Sequence, residues 1–401
     1  MRKNVLLILS SFLMITIVFT SCKKDTEELF QKVDQQSSDL ISNGVIIPGQ
    51  FIVYQSNNKS LVNFNGVKDY SERQEIMRNE IQKVFGKKSI NEDAIQNVYC
   101  KAIYGFSGKL TEDEINSFKN AGYAVEPDRI MILKKPDGVG NGGGGGTTGQ
   151  EIPWGITRVN GGTTTANGTA WIIDSGIDLD HPDLNVDASR SVTFVPRSKG
   201  PDDENGHGTH VAGTIAAIDN DLGVVGVAPG ATVVAVRVLD RKGSGAYSDV
   251  IAGVDYVGNN GSTGDVANMS LGGPVSQALD DAVLNASNAS GVKFCLAAGN
   301  ESTDANNSSP SRVNGSKIYT ISAMDNSDVW AYFSNYGNPP VDYCAPGINI
   351  LSTWKGGGYN TISGTSMATP HAAGVLLLGS ARTDGTVIND PDGHSDPIIV
   401  H

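Results

Sequence analysis

Cysteine, charge and long apolar runs are all scarce in this chain. Four Cys among 401 residues are too few for a disulfide-built scaffold, and a chain of this length buries a core without such staples. Charged residues make up 18%, against a usual share of about 25%. With 48 glycines, the composition points to tight turns and close-packed backbone, not to coiled coil or disorder. A net charge of −13 argues against nucleic acid as a main partner, because phosphate is met by a surplus of Lys and Arg. Only one apolar run is long, Val5 to Phe19, and its roughly 15 residues fall short of the ~20 that span a bilayer.

Charge is unevenly placed. Residues 1–150 carry 18 basic and 17 acidic side chains, whereas 151–401 carry 12 and 26. Length suggests two or three domains, and the two halves read as different objects.

Residues 1–22 read as an export signal. Arg2 and Lys3 precede the apolar run, which ends in Thr20-Ser21-Cys22; a transmembrane anchor is the alternative. Residues 23–48 are polar and read as a tether. Over 49–135 the order is β-α-β-β-α-β, an α+β ferredoxin-like sandwich. Its second helix is announced by Thr111 with Glu114 three residues on, a capping box. The strand from Val98 is read as continuous to Phe106, turning at Gly108. Gly142–Gly146 then sit in a flexible, protease-accessible linker, 136–150.

Residues 151–401 alternate strand and helix patterns, which implies an α/β domain: a mostly parallel sheet covered by helices on both faces. Such sheets place ligands beyond the carboxyl ends of their strands. Asp174 ends the strand Trp171-Ile172-Ile173. His207, between Gly206 and Gly208, opens a helix. Ser366 opens another before the apolar run Val375 to Leu378. Singly, these read as a turn Asp, a structural or metal-binding His beside His210, and a helix N-cap Ser. Together they supply a nucleophile, a base and an orienting carboxylate: a serine hydroxyl is weak until an imidazole takes its proton, and the imidazole needs an acid to fix its tautomer. There is no HExxH. The order Asp-His-Ser, and Ala368 in place of the last glycine of G-x-S-x-G, exclude an esterase of the α/β-hydrolase type.

Asp174-Ser175-Gly176, His207-Gly208-Thr209-His210 and Gly364-Thr365-Ser366-Met367-Ala368 resemble the three signatures of the subtilisin-like serine proteases (subtilases). Trp154-Gly155-Ile156, Asp240-Arg241 and Phe333-Ser334-Asn335-Tyr336-Gly337 look like the proteinase K branch. The resemblance implies a secreted serine endopeptidase with Asp174, His207 and Ser366 as triad and Asn300 as oxyanion donor. Gly243, Ser244 and Gly245, with Ser270, Leu271, Gly272 and Gly273, match the segments that flank extended substrate. Leu271, Ala297, Ala298 and Gly299 would wall the primary pocket, with Glu301 near its floor. Asp342 aligns with a calcium-binding carboxylate, so calcium is expected as a structural ion and no cofactor for catalysis. Ser309-Pro310 matches a cis bond.

By the same resemblance, Tyr104-Gly105-Phe106 and Tyr123 to Asp128 make 49–135 an inhibitory propeptide of a self-processing zymogen. Cys22 resembles a lipoprotein cysteine, lipidated to anchor an exported bacterial precursor whose cleavage frees a soluble, monomeric enzyme. Its partners are polypeptide substrates and its own propeptide, with membrane contact only through the N-terminus. Cys295 and Cys344 are expected as free thiols. Two other readings stay open: a catalytically silent binding module on this fold, and a metallohydrolase using His207 and His210.

Overall fold

The computed structural model describes residues 42–55, 62–85, 94–136, 149–379 and 381–401. The signal with Cys22, the tether as far as residue 41 and linker residues 137–148 lie outside the described residues.

The N-terminal lobe runs β1 (Ile46–Tyr54), α1 (Tyr70–Phe85), β2 (Ile95–Cys100), β3 (Tyr104–Lys109), α2 (Glu112–Asn120) and β4 (Ala124–Ile132). Its strands form an antiparallel sheet in the order β2-β3-β1-β4. The capping box is formed: Thr111 N–H donates to Glu114 at 2.7 Å, and Glu114 N–H returns to the Thr111 hydroxyl at 3.4 Å. Met77, Ile81, Phe106, Ile115 and Phe118 bury the helices on one sheet face.

Two boundaries differ from the sequence reading. The tether ends before residue 48, because Gly44 N–H already donates to Ile130 at 2.7 Å and β1 begins at Ile46. The strand from Val98 breaks into β2 and β3 at Lys101–Ile103. The break is held from far away: buried Asp255 accepts from the N–H groups of Cys100 (3.0 Å), Lys101 (2.8 Å) and Ala102 (2.6 Å). No local signal announces a turn closed by a carboxylate some 150 residues on. Gly105, just after it, is forced by contact: a Cβ there would lie 1.9 Å from the Val53 carbonyl of β1.

The remainder runs α3 (Trp154–Arg158), β5 (Thr169–Asp174), β6 (Val192–Thr193), α4 (His207–Ala216), β7 (Thr232–Arg237), β8 (Ser244–Ala246), α5 (Tyr247–Asn260), β9 (Val266–Met269), β10 (Gly273–Pro274) and α6 (Gln277–Ser290). There follow β11 (Lys293–Ala297), β12 (Ser308–Ser309), β13 (Ile318–Met324), β14 (Val341–Pro346), β15 (Ile350–Trp354), β16 (Gly358–Ile362), α7 (Thr365–Leu377), β17 (Arg382–Thr386) and β18 (Pro397–Val400).

The main sheet has the order β17-β18-β14-β13-β11-β9-β5-β7-β6. Every pairing is parallel except that of the edge strand β17. Alternation along β5 shows why helices cover both faces: Ala170 and Ile172 join the core under α4 and α7, while Trp171 and Ile173 join the core under α5 and α6. All four are fully buried, which explains strands that read as continuous apolar runs. The second core extends into the N-terminal lobe through Ile52, Tyr99, Ile103 and Met131. The Ser309–Pro310 bond is cis. Cys100, Cys295 and Cys344 are buried free thiols.

Candidate active site

The carboxyl ends of the parallel strands converge on one cleft. Asp174, the last residue of β5, is fully buried. Its Oδ1 and Oδ2 lie 2.9 and 3.0 Å from His207 Nδ1, and Oδ1 also accepts from Ser175 N–H at 2.7 Å. A carboxylate facing Nδ1 makes that nitrogen the proton carrier and leaves Nε2 with a lone pair. Burial works against the imidazolium, but the Asp174 charge outweighs it, and the His207 pKa stands above the ordinary histidine value.

α4 approaches β5 closely because residue 208 is glycine. A Cβ there would meet the Gly176 carbonyl at 2.1 Å and Asp174 Cβ at 3.2 Å. Buried Asp203, which the sequence reading missed, organises the turn into α4. It accepts from the N–H groups of Asn205 and Gly206, each at 2.9 Å, and of Thr209 at 3.0 Å, and from the hydroxyls of Ser175 and Thr209. The signal was present as an Asp just before a helix start, inside the run Asp202-Asp203-Glu204.

Ser366 stands in the first turn of α7, and its hydroxyl donates to the Ser270 carbonyl at 3.1 Å, not to His207. His207 and Ser366 line the same concavity. Pro370, four residues on, has no N–H for the Ser366 carbonyl. The Ser270 hydroxyl supplies the missing donor at 2.8 Å, and is itself held by Asn268 Nδ2 at 2.8 Å.

Asn300 is oriented from behind. Its Oδ1 accepts from Thr365 N–H at 2.9 Å and from the Thr365 hydroxyl at 3.0 Å. Its NH2 group therefore faces the cleft. Ser270, Leu271, Gly272, Gly273, Ala297, Ala298, Gly299 and Glu301 line one pocket with Asn300 and Ser366. Gly243 and β8 form the opposite wall, where β8 pairs antiparallel with β4.

His210 does not join His207. It is fully buried, its Nε2 lies 2.9 Å from the Ile350 carbonyl, and burial pushes its pKa down to about 3. Among the described residues no cluster of three His, Cys, Asp or Glu side chains has metal-holding geometry. Asp342, on β14, accepts from Thr320 N–H at 2.8 Å, and burial pushes its pKa up to about 6. Among the described residues no Lys or Arg pairs with it.

Residues 171–385, more than half of the chain, match the Subtilase family. M-protease of Shouchella clausii (strain KSM-K16) is 43% identical over 238 residues, 58% of this chain and 60% of that one. Alkaline serine exoprotease A of Vibrio alginolyticus is 39% identical over 320 residues, covering 77% of this chain and 57% of that one. That share of this chain exceeds what 151–401 alone supply. A solved structure of a cold adapted subtilisin-like serine proteinase superposes with a TM-score of 0.53 at 40% identity, over 61% of this chain and 96% of that one. The chain belongs to the Subtilase family, and its fold is the subtilisin-like α/β fold. It matches about 60% of the length of the first two of these relatives.

Proposed function

We propose that the chain is a serine endopeptidase made as a self-processing precursor. The observation that carries this reading is the shared cleft of Ser366, the Asp174–His207 pair and the oriented Asn300 amide. With substrate in place, the Ser366 hydroxyl turns from Ser270 to His207 Nε2 and gives up its proton as Oγ attacks the carbonyl carbon. Asp174 stabilises the imidazolium. Asn300 Nδ2 meets the oxyanion as charge develops, in a site that needs no reorganisation. His207 returns the proton to the leaving amine, and water repeats the sequence on the acyl-enzyme. Specificity is expected to be broad, because the walls at 243–245 and 270–273 pair with main chain.

The N-terminal lobe fits an inhibitory propeptide, since β4 pairs with β8 along the substrate wall. The remaining boundaries belong to the same proposal: a lipoprotein-type signal over 1–22 with Cys22 lipidated, a tether up to the lobe, a linker over 136–150 and a peptidase domain over 151–401 of the proteinase K-like branch. The lipid then anchors the precursor of an exported bacterial protein, and cleavage frees a monomeric enzyme. No helix among the described residues is long and apolar enough to cross a membrane. Calcium, held in part by Asp342, has a structural role and enters no step.

A fluorophosphonate probe tests the core of this reading. Labelling of Ser366, absent in Ser366→Ala and accompanied by hydrolysis of unfolded protein, is expected; an unlabelled, inactive wild type overturns it in favour of a silent binding module. Cell fractionation tests the anchor. Ser366→Ala should stay full-length at the membrane while the wild-type peptidase part is released.

A further inference from the structure

The chain occupies its own cleft. β4 pairs with β8 in the register Ile130↔Ala246, Met131↔Gly245, Ile132↔Ser244. Past its end, Leu133 N–H donates to the Gly243 carbonyl at 2.9 Å. The opposite edge is held as well: Ile132 N–H donates to Asn43 Oδ1 at 3.2 Å, and Asn43 Nδ2 donates to the Gly272 carbonyl at 3.1 Å. The Asn43 amide thus bridges the strand to the second wall. A slip of one residue would turn every side chain over and expel Met131, which is fully buried in the core shared by both lobes. The register is fixed.

It delivers one carbonyl to the oxyanion donor. The Lys134 oxygen accepts from Asn300 Nδ2 at 2.9 Å, and Thr365 holds the Asn300 amide so that no other atom of it faces the cleft. The Lys134 side chain lines the pocket formed by Ser270–Gly273 and Ala297–Glu301. Its Nζ lies 3.6 Å from Glu301 Oε1. Glu301 is itself fixed: Oε2 accepts from Asn335 Nδ2 at 2.9 Å, and its N–H donates to Asn335 Oδ1 at 3.0 Å. Lys135 and Pro136 continue along the concavity that holds His207 and Ser366.

We propose that the chain cuts itself between Lys134 and Lys135, and that Glu301 makes the site favour a cationic side chain, lysine first, immediately before the bond it cuts. This rests on the endopeptidase reading and adds to it a bond and a substrate class. Ser366 Oγ attacks the Lys134 carbonyl carbon as its proton passes to His207. The bond to Lys135 nitrogen breaks, and the new amine takes that proton. Water then cleaves the ester, leaving a Lys134 carboxylate and the free Ser366 hydroxyl. The carboxylate leaves Asn300 only when the cut lobe dissociates, and that dissociation frees the enzyme.

The Lys134–Glu301 pair is partly exposed, with side chains 45% and 33% accessible. Its effect is therefore modest, at most about fivefold by the usual worth of such pairs. Mass spectrometry of the self-cut full-length chain should find an N-terminal fragment ending at Lys134; that end decides, since the other fragment can be trimmed later. For the peptidase, Glu301→Gln should lower the ratio of kcat/KM for Lys over Leu peptides by up to about fivefold. Lys134→Glu should slow self-cutting, and adding Glu301→Lys should restore it, a rescue that misfolding does not mimic. An N-terminal fragment ending elsewhere, with the Lys/Leu ratio unmoved by Glu301→Gln, overturns the proposal and leaves the endopeptidase reading standing if peptides are still hydrolysed. No hydrolysis and no serine labelling overturn both.

Discussion

The two lobes are built on opposite plans. The C-terminal part builds two large cores, one on each face of a nine-stranded sheet. The N-terminal lobe has one small core under its helices. Several of its most buried residues, Ile52, Tyr99, Ile103 and Met131, belong to the other lobe's core instead. A domain of under 100 residues is marginal alone, and this one completes itself by docking. The carboxylates follow the same division. In the C-terminal part Asp174 faces His207, and Asp203 holds the turn that leads to it. At the contact between lobes, Asp249 and Asp255 are buried beneath donors of the N-terminal lobe. On the proposed function the first set should govern turnover and the second access, so variants in each should alter one property and spare the other.

The largest expected effect is on turnover. Asp174→Asn leaves His207 without the partner that fixes its tautomer and should lower kcat/KM by about 10⁴-fold in steady-state peptide assays, with the lobe contact unchanged. Asn300→Ala removes one oxyanion donor and should lower kcat by about 10²–10³.

Docking variants come next. Asp255→Ala strands three N–H groups of the N-terminal lobe. Losing one partner of such a buried network costs about 2–5 kcal/mol, so the cut lobe should dissociate at least about 30-fold more readily. Co-elution of the two fragments in size-exclusion chromatography measures this, and kcat of the freed enzyme should not change.

The smallest effect is pH-dependent. Burial at the contact pushes the Asp249 pKa up to about 7; Asp128 adds to the shift, and the amides of Asn97 and Gln96 oppose it. When the lobe leaves, Asp249 meets water and returns toward the ordinary ~3.9. A group whose pKa is raised in the docked state favours docking at low pH and loses that contribution as pH rises through the raised value. Lobe affinity should therefore fall as pH rises toward 7, by up to about tenfold per unit, and level off above it; a flat profile from pH 5 to 7 would remove Asp249 from the account. Turnover has its own dependence. His207 acts as a base only when neutral, and its pKa stands above the ordinary value. The acid limb of kcat/KM should lie above pH 6.5 and move down in Asp174→Asn.

What was legible in the sequence follows from what local chemistry announces. Asp174 at a strand end, His207 at a helix start between glycines and Ser366 at another helix start are marked by neighbours that set their backbone, whereas Asn300 was legible only through the resemblance. The capping box at Thr111 and Glu114 and the buried run of β5 are local in the same way. The chain's own residues therefore determined the elements, the two-faced sheet and the groups able to meet at its carboxyl edge. Tertiary structure alone decided the rest: Asp255 closing a turn in the other lobe, Ser270 serving the carbonyl that Pro370 leaves free, Asn43 bridging strand to wall, and Lys134 delivered to Asn300. Each of these is a contact across a long stretch of chain. Its partner is chosen by packing and register, and the residues on either side of it in the sequence carry no trace of that choice.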